Sequence, residues 1–330
     1  MSKDDILKHL MRSKTGFVSG GKLAVQFGIS RTAVWKQIKG LEADGYTIEA
    51  IPSKGYRLIE LPDSIVPAYV VRGLKTRIIG RDLRLLKEVV STNTLGMDLA
   101  RNSAPDGTVI VAEKQSGGKG RLGRTWISPK GNIHLSVILR PLIPARIAPL
   151  ITLMGAVAVA AAIRKLLGLD AGIKWPNDII ISGKKAGGLL TEMSAEADRV
   201  HHVVLGIGLD VNMDPMVLPS DVRARSTTLA KEAGRRIDRS LLVREIILEL
   251  DRRYQLFLAD RAGVLTAWEG LNITLGKQVA VSGAGESLTG VAQGIDDEGR
   301  LIIRLQDGSL RAVSAGDVTI LKTQIRNSKS

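Results

Sequence analysis

The stretch Gln115-Ser-Gly-Gly-Lys-Gly-Arg-Leu-Gly-Arg124 decides the fold class, because part of it matches a dinucleotide-binding fingerprint. Residues 118–123 fit the pattern G-x-G-x-x-G, and they follow a predicted strand over 108–113. A dinucleotide-binding fold also requires a helix that opens at this loop and an acidic residue about 20 positions further along. The next residues, Arg124-Thr-Trp-Ile-Ser-Pro129, lack a helical pattern, and no acid occurs before Asp170. The sequence therefore excludes a Rossmann fold.

The same stretch has the composition of a phosphate-binding loop. It contains four glycines and three cations, Lys119, Arg121 and Arg124, within ten residues. Such a loop can bring backbone N–H groups and positive charge close to an anion. An exposed basic loop without a ligand is the alternative. We interpret the segment as a phosphate-binding loop.

Residues 63–270, which contain this loop, alternate between strand and helix patterns, and this predicts a mixed α/β body. The predicted strands lie at 108–113, 133–139, 179–182, 189–193 and 202–209, and the predicted helices at 93–101, 150–167 and 240–258. The apolar run 150–163 has 14 residues. Crossing a bilayer takes roughly 20, so we interpret this run as a buried helix.

Residues 1–62, followed by a linker at 61–64, predict a winged helix-turn-helix. Helical patterns at 4–11, 20–27 and 31–44 precede a hairpin at 46–60, and Ser19 and Ser30 are the expected helix caps. The second helix of such a motif docks in the major groove, so its solvent face should be basic and polar. The expected DNA-binding residues on this helix and on the wing are Arg31, Thr32, Trp35, Lys36, Lys39, Lys54 and Arg57. A winged helix used for protein contacts is the alternative.

Residues 271–330 contain short β-segments with turns at 283–285, 296–299 and 307–308, and residues 327–330 resemble a loose tail. Closely spaced strands of this kind predict a small SH3-like barrel. The expected fold is therefore a multidomain α+β chain in three parts, with limits at 1–62, 63–270 and 271–330.

The charge distribution supports two anion-binding regions. Lys and Arg number 47 against 33 Asp and Glu, a net charge of +14. Nine of these cations lie between Lys114 and Leu169, where no acid occurs, and a second basic cluster lies in the first 60 residues. The absence of cysteine excludes disulfides, thiolate metal sites and cysteine nucleophiles, and it suits a reducing cytoplasm. No signal-peptide pattern opens the chain, so we expect a cytoplasmic protein with no membrane partner.

Four motifs together identify a family. They are Ser91-Thr-Asn93, the loop 115–124 with Trp126, Lys174-Trp-Pro-Asn-Asp178 and Gly206-Ile-Gly-Leu-Asp-Val-Asn212. In order and spacing they resemble the biotin–protein ligases, specifically the bifunctional type with an N-terminal repressor domain. The resemblance extends over nearly the whole chain. It implies a central domain related to class II aminoacyl-tRNA synthetases.

The resemblance also implies roles for individual residues. For biotin it implies Ser91, Thr92, Asn93, Gln115, Lys119, Gly120, Arg121, Lys174, Gly206 and Gly208. For ATP it implies Gly118, Lys119, Arg121, Arg124, Asn177 and Asn212. Lys174 and Arg121 would be the catalytic cations, with Mg²⁺ on the phosphates and its protein ligands unknown. Lys119 stands where the family usually has Arg, and Asp210 where it usually has Asn; Asp210 either helps to hold Mg²⁺ or faces away from the nucleotide.

The implied activity has two steps, with biotin and ATP as substrates. Biotin is activated to biotinoyl-5′-AMP and then transferred to a lysine of a biotin carboxyl carrier protein. Operator DNA and a second copy of the chain, in a homodimer promoted by the adenylate, are the other expected partners. A lipoate ligase or octanoyltransferase, a transcription factor that binds biotin without ligating it, and a ligase whose N-terminal domain no longer binds DNA are the alternatives.

Overall fold

The computed structural model describes residues 3–13, 16–43, 45–60, 62, 64–196, 198–283 and 286–321. They form two compact units, Met1–Leu74 with Asp238–Arg244, and Lys75–Ile237 with Glu245–Ser330. The linker predicted at 61–64, the turn at 283–285 and the tail at 327–330 fall partly or wholly outside the described residues. The domain boundaries predicted at residues 62 and 270 remain predictions.

The first unit is a helix-turn-helix followed by a two-stranded hairpin. Its elements are α1 (Lys3–Arg12), α2 (Gly20–Phe27), α3 (Arg31–Ala43), β1 (Thr47–Ile51), β2 (Gly55–Glu60) and α4 (Pro67–Val71). Ser19 caps α2 by accepting from the N–H of Gly21, and Ser30 accepts from the N–H of Ala33. Gly28 ends α2 with φ 64°, the left-handed conformation that glycine adopts without strain. The predicted winged helix-turn-helix is confirmed.

One apolar core holds this unit together. Its buried side chains come from α1, α2, α3, β1 and α4, and they include Ile6, Leu7, Leu10, Leu23, Val34, Ile38, Leu41, Val66 and Tyr69. The wing is fastened to the segment before α2, where Val18 and Tyr56 exchange two backbone hydrogen bonds of 2.8 and 2.9 Å. Gly55 has φ 109°, and a Cβ there would overlap the carbonyl of Val18. Glycine is therefore required where the wing begins its second strand.

A seven-stranded sheet forms the body of the second unit, with order β3-β4-β5-β9-β8-β7-β6. The strands are β3 (Leu83–Leu86), β4 (Val109–Ala112), β5 (Ile133–Leu139), β6 (Gly172–Lys174), β7 (Asp178–Ile181), β8 (Lys184–Ala195) and β9 (Val200–Leu209). Only β3 and β4 run parallel to each other, and every other pairing is antiparallel. All five predicted strands are present. β3 and β6 were not predicted from the sequence.

Helices complete this part of the chain: α5 (Thr92–Arg101), α6 (Pro149–Leu167), α7 (Ser220–Arg225), α8 (Leu229–Ala233), α9 (Arg239–Ala259) and α10 (Ala262–Glu269). The segment Ala145–Leu167, which contains α6, is long and apolar enough to cross a membrane, with mean hydropathy 1.9. However, 78% of its most apolar 18-residue window is buried inside the protein. A Cβ on Gly155 would lie 2.7 Å from a methyl group of Leu205, so α6 packs closely on the sheet. The interpretation of this run as a buried core helix is confirmed.

The C-terminal residues form the predicted small β domain. The strands β10 (Gln278–Gly283), β11 (Glu286–Ile295), β12 (Leu301–Arg304), β13 (Leu310–Val313) and β14 (Asp317–Ile320) make an antiparallel sheet with order β13-β12-β11-β10-β14. Trp175 joins this domain to the α/β body formed by the seven-stranded sheet and its helices, since its indole Nε1 donates to the carbonyl of Gly299 at 3.0 Å. The β domain and the α/β body belong to one compact unit.

Candidate active site

Two lysines share one carboxylate at the start of β7. Lys174 Nζ lies 3.0 Å from Asp178 Oδ2, and Lys185 Nζ lies 2.6 Å from Asp178 Oδ1. Burial alone would raise the pKa of Asp178, but Lys185 and Lys174 hold it below its usual value. Lys185 also lies 5.5 Å from the centroid of the Trp126 ring. Lys185 was not predicted as a site residue, because a lysine pair such as 184–185 is also typical of the solvated start of a strand.

Arg121 joins this cluster from the glycine-rich loop. Its Nη1 donates to Asn177 Oδ1 at 3.1 Å and to the carbonyl of Gly316 at 3.2 Å. The backbone of the loop closes on itself, because the N–H of Gly120 donates to the carbonyl of Arg124 at 2.7 Å. Three predicted site residues, Lys174, Arg121 and Asn177, are thus neighbours, although 56 positions separate Arg121 from Asn177 in the sequence.

The loop also contacts the C-terminal β domain. Arg124 Nη2 donates to Asp317 Oδ1 at 2.7 Å, at the first residue of β14. Lys119 is exposed on the same loop. Asp317 and Gly316 are further residues that the sequence analysis missed, since nothing in a short β-segment indicates a partner almost 200 positions away.

The Ser91-Thr-Asn93 motif forms the first turn of α5 and lies beside Gln115. Ser91 caps the helix, and its Oγ accepts from the N–H of Thr94 at 3.4 Å. The N–H of Thr92 donates to Gln115 Oε1 at 2.7 Å, and Gln115 Nε2 donates to Ser128 Oγ at 2.9 Å. The structure therefore brings together the polar residues predicted for the biotin head.

The two glycines of β9 have protein neighbours. A Cβ on Gly206 would overlap the amide of Asn93, and one on Gly208 would lie 2.7 Å from the indole nitrogen of Trp126. The resemblance to the biotin–protein ligases implied that both glycines line the biotin site. In the structure, their missing side chains make room for Asn93 and Trp126.

Asn177 and Asn212, predicted for ATP, already hold backbone groups. Asn177 Nδ2 donates to the carbonyl of Leu189 at 2.6 Å, while its oxygen accepts from Arg121. Asn212 donates to the carbonyl of Ile237 at 2.9 Å and accepts from the N–H of the same residue at 3.0 Å. The Asn212 amide thus fixes the segment that leads into α9.

Asp210 lies in the interior. Its side chain is 4% exposed, and Oδ1 accepts from Asn132 Nδ2 at 2.9 Å. Burial raises its pKa to about 7. Among residues 3–321, apart from the few left undescribed, no group of three His, Cys, Asp or Glu side chains converges as a metal site. Asp210 is therefore buried against Asn132, and its orientation relative to the nucleotide stays a prediction.

Two of the predicted DNA-binding residues form ion pairs within the winged helix. Lys39 is paired with Glu42 at 2.6 Å, and the Nε of Arg57 is 2.9 Å from an oxygen of Glu49. The other predicted DNA-binding residues of α3 are exposed: Arg31, Thr32, Trp35 and Lys36.

Lys54, on the wing tip, lines a pocket of about 430 Å³ with His9, Ser13, Phe17, Val18, Ser19 and Lys22. None of the described residues that line this pocket carries a carboxylate, and Lys22 and His9 were not predicted.

Comparisons with known proteins agree with these three parts. The pattern of the biotin/lipoate A/B protein ligase family matches residues 85–210, an HTH domain matches 3–57, and the biotin protein ligase C terminal domain matches 274–321. The chain is 39% identical to the bifunctional ligase/repressor BirA of Bacillus subtilis over 95% of this chain and 97% of that protein. It is 30% identical to the protein of that name from Escherichia coli, over 92% and 93%. The solved biotin protein ligase from Aquifex aeolicus, in complex with biotin and ATP, is 27% identical with a TM-score of 0.63, and the match covers 74% of this chain and 100% of that one.

Proposed function

The chain belongs to the biotin/lipoate protein ligase family, and from this premise we propose that it is an ATP-dependent biotin–protein ligase and a DNA-binding repressor. The observation that carries the enzymatic part is the pair Lys174 and Lys185 on Asp178, with Arg121 bound to the preceding residue, Asn177. It lies beside a glycine-rich loop, in a chain whose relatives are named as ligases.

The first step is attack by the biotin carboxylate on the α-phosphorus of ATP, which expels pyrophosphate and forms biotinoyl-5′-AMP. The nucleophile is an anion, and negative charge develops on the phosphoryl oxygens. Preorganised cations are therefore needed more than an acid or a base. Lys174 and Arg121 are the catalytic cations, and Lys185 adds a third. Asp178 holds both lysines in place before the substrates bind.

Biotin binds with its polar head at Ser91, Thr92 and Gln115 and with its carboxyl end toward the loop. Asn93 contributes by holding its neighbours in position, because its side-chain amide is already hydrogen-bonded inside the protein. Gly206 and Gly208 shape this side of the site. In the second step a carrier lysine attacks the mixed anhydride, and loop closure through Gly118, Gly120 and Gly123 excludes the water that would compete.

ATP binds along the loop, at Lys119, Arg121 and Arg124, with Asn177 beside them. Asn212 supports this site from its place before α9. Mg²⁺ would be held mainly by the nucleotide phosphates and would supply positive charge there, since Asp178 is paired with two lysines and Asp210 is buried against Asn132. The described residues contain no group of three His, Cys, Asp or Glu side chains that could hold the ion by themselves.

The winged helix binds operator DNA, with α3 in the major groove and the wing on the phosphate backbone. One such module makes few phosphate contacts, so specific binding requires two copies on a two-fold site. The partners are therefore a biotin carboxyl carrier protein, operator DNA and a second copy of the chain, in the cytoplasm.

Pyrophosphate release tests the ligase assignment directly. Purified protein with biotin and Mg-ATP should release pyrophosphate and retain the adenylate, and adding apo carrier domain should label a single lysine on a streptavidin blot. Lipoate in place of biotin is the control. A chain that activates lipoate and leaves biotin untouched is a lipoate ligase, and one that binds biotin without releasing pyrophosphate is a sensor.

A further inference from the structure

The glycine-rich loop is fixed to the protein at its base but not at its tip. The N–H of Gly117 donates to the carbonyl of Val90 at 2.8 Å, and the N–H of Trp126 donates to the carbonyl of Gly118 at 2.9 Å. Between residues 119 and 125, by contrast, the backbone bonds seen among the described residues all stay within the loop. The position of the tip therefore depends on its side chains.

Two cationic side chains of the tip bind successive residues of the C-terminal β domain. Arg121 Nη1 donates to the carbonyl of Gly316 at 3.2 Å, and Arg124 Nη2 donates to Asp317 Oδ1 at 2.7 Å. Arg124 Nε also donates to the carbonyl of Arg121 at 3.2 Å. The Arg124 guanidinium thus joins the backbone of Arg121 to Asp317, and the tip is fastened to the β domain at two points.

The segment that receives the tip is itself held by the sheet of the β domain. Asp317 is the first residue of β14 and pairs with Ser282 of β10. Gly316 is buried with φ 152°, and a Cβ there would lie 2.7 Å from a methyl group of Val281. Glycine is therefore required at this close approach to β10. The Gly316 carbonyl and the Asp317 carboxylate are fixed acceptors for the two arginines.

We propose that Asp317 is a positioning residue for adenylate formation: it holds Arg124, and through Arg124 it keeps Arg121 in the active site. The inference rests on the proposed function, because it needs Arg121 to stabilise charge on the reacting phosphate. Asp317 acts through the loop and does not touch the substrates. Arg124 can retain this ion pair while it binds a phosphate, since its Nη1 has no partner among the residues that the structure describes.

Competition with the nucleotide for Arg124 is the opposite role that a carboxylate at this place can have. The two roles predict effects of opposite sign. Asp317→Asn removes a negative charge, so competition predicts slower loss of the anionic adenylate. Positioning predicts faster loss, because the released tip no longer holds Arg121 on the phosphate. The rate of adenylate loss therefore separates the two roles.

The test measures how fast labelled biotinoyl-5′-AMP leaves the full chain after a chase with unlabelled biotin and ATP. In Asp317→Asn the loss should be about threefold faster, the size expected for a partly exposed ion pair. The difference from the parent should shrink at about 1 M salt, which screens the pair. Asp317→Glu retains the charge and should stay close to the parent rate. Asp307→Asn, the same charge change at an exposed turn of the β domain, is the matched control.

A double variant tests whether Asp317 acts through Arg124. In an Arg124→Gln background, Asp317→Asn should accelerate the loss less than it does in the parent chain, because the ion pair is already broken. Asp317→Thr, which suits a strand position, replaces Asp317→Asn if that variant does not fold. Slower or unchanged loss in Asp317→Asn, equal acceleration in Asp307→Asn, or additive effects in the double variant would overturn the inference and leave the ligase assignment standing. A parent chain that forms no adenylate from biotin and ATP would instead remove the proposed function.

Discussion

At the scale of single residues, the site consists of charged groups whose partners are fixed by the fold. Lys174 and Lys185 both form ion pairs with Asp178, so the position of each ammonium group is set before a substrate binds. Catalysis by positive charge gains from such preorganisation, because the cations need not reorganise as charge develops. The carboxylate retains its negative charge over a wide pH range because the two lysines lower its pKa.

Replacing Lys174 by Met should lower the rate of adenylate formation by a factor on the order of 100 or more, since a cation next to the developing charge is lost. Arg121→Ala should also slow adenylation and should speed the loss of bound adenylate from the loosened loop. Single-turnover pyrophosphate release and filter retention of labelled adenylate measure the two effects. Lys184→Met, next to Lys185 on the same strand, is the control. Adenylation at the parent rate in both site variants would contradict the placement of Lys174 and Arg121 in the active site.

Asp210 makes the stability of the fold depend on pH. Its folded pKa of about 7 lies above the usual 3.8, so between those values the folded chain keeps a proton that the unfolded chain has lost. The free energy of unfolding should therefore fall as pH rises from about 4 to about 7, and the Asp210 contribution should be constant above that range. Asp210→Asn retains the acceptor for Asn132 and should remove this decline.

Urea unfolding at several pH values between 5 and 8 measures the Asp210 effect. The difference in unfolding free energy between Asp210→Asn and the parent should grow with pH toward 7, to a size on the order of a few kcal/mol. Asp221→Asn, at a side chain that is 70% exposed, should leave the pH profile of the parent unchanged. A constant difference across the range would refute the burial argument.

At the scale of elements, the winged helix separates free cations from paired ones. Lys39 and Arg57 are bound to Glu42 and Glu49, whereas Lys54 has no carboxylate partner among the residues that the structure describes. A cation that must first break an ion pair with a carboxylate of the protein contributes less DNA-binding free energy than a cation without such a partner. We therefore expect unequal contributions from residues that the sequence pattern treated alike.

Lys54→Ala should weaken operator binding uniformly across operator variants and reduce the slope of log K against log salt by about 1, because one phosphate contact is lost. Lys39→Ala should change the slope less, since Glu42 already neutralises this lysine. Fluorescence anisotropy over a salt series measures both, and Lys87→Ala in the ligase body is the control. A larger slope change for Lys39 than for Lys54 would contradict the assignment.

At the scale of the whole molecule, the chain cannot be divided cleanly at residue 62. The side chains of Val66, Ala68 and Tyr69 are buried in the same core as Ile6 and Leu10. The N–H of Val66 also donates to Ser240 Oγ at 2.8 Å, which fastens this segment to the start of α9. A truncation near residue 63 would expose this apolar surface, so point variants on α3 and the wing are the better test of DNA binding.

The adenylate should couple the two activities through dimerisation. Ordering the loop around biotinoyl-5′-AMP would lower the entropic cost of pairing two ligase bodies, and a coupling of about 1 to 3 kcal/mol would be sufficient for regulation. Sedimentation with biotin plus ATP should show tighter association than without them, and apo carrier protein should reverse it. A monomer–dimer constant that does not respond to ligand would exclude this coupling.

The sequence by itself determined the features that depend on neighbours in the chain. The exclusion of a dinucleotide fold, the helix caps at Ser19 and Ser30, the buried helix α6 and the long strands all follow from patterns of a few residues, because backbone periodicity and capping are local. The motif order likewise identified the family before any coordinates.

Only the tertiary structure decided how these local pieces meet. The pairings of Lys185 with Asp178, Asn93 with Glu192 and Arg124 with Asp317 join different strands and loops, and the last spans 193 positions. The burial of Asp210 and the Asn93 amide packed against Gly206 were equally invisible. Long-range contacts depend on which strands are adjacent in the sheet and on how side chains fill the space between layers. One-dimensional spacing does not contain that information, because many sheet orders satisfy the same pattern.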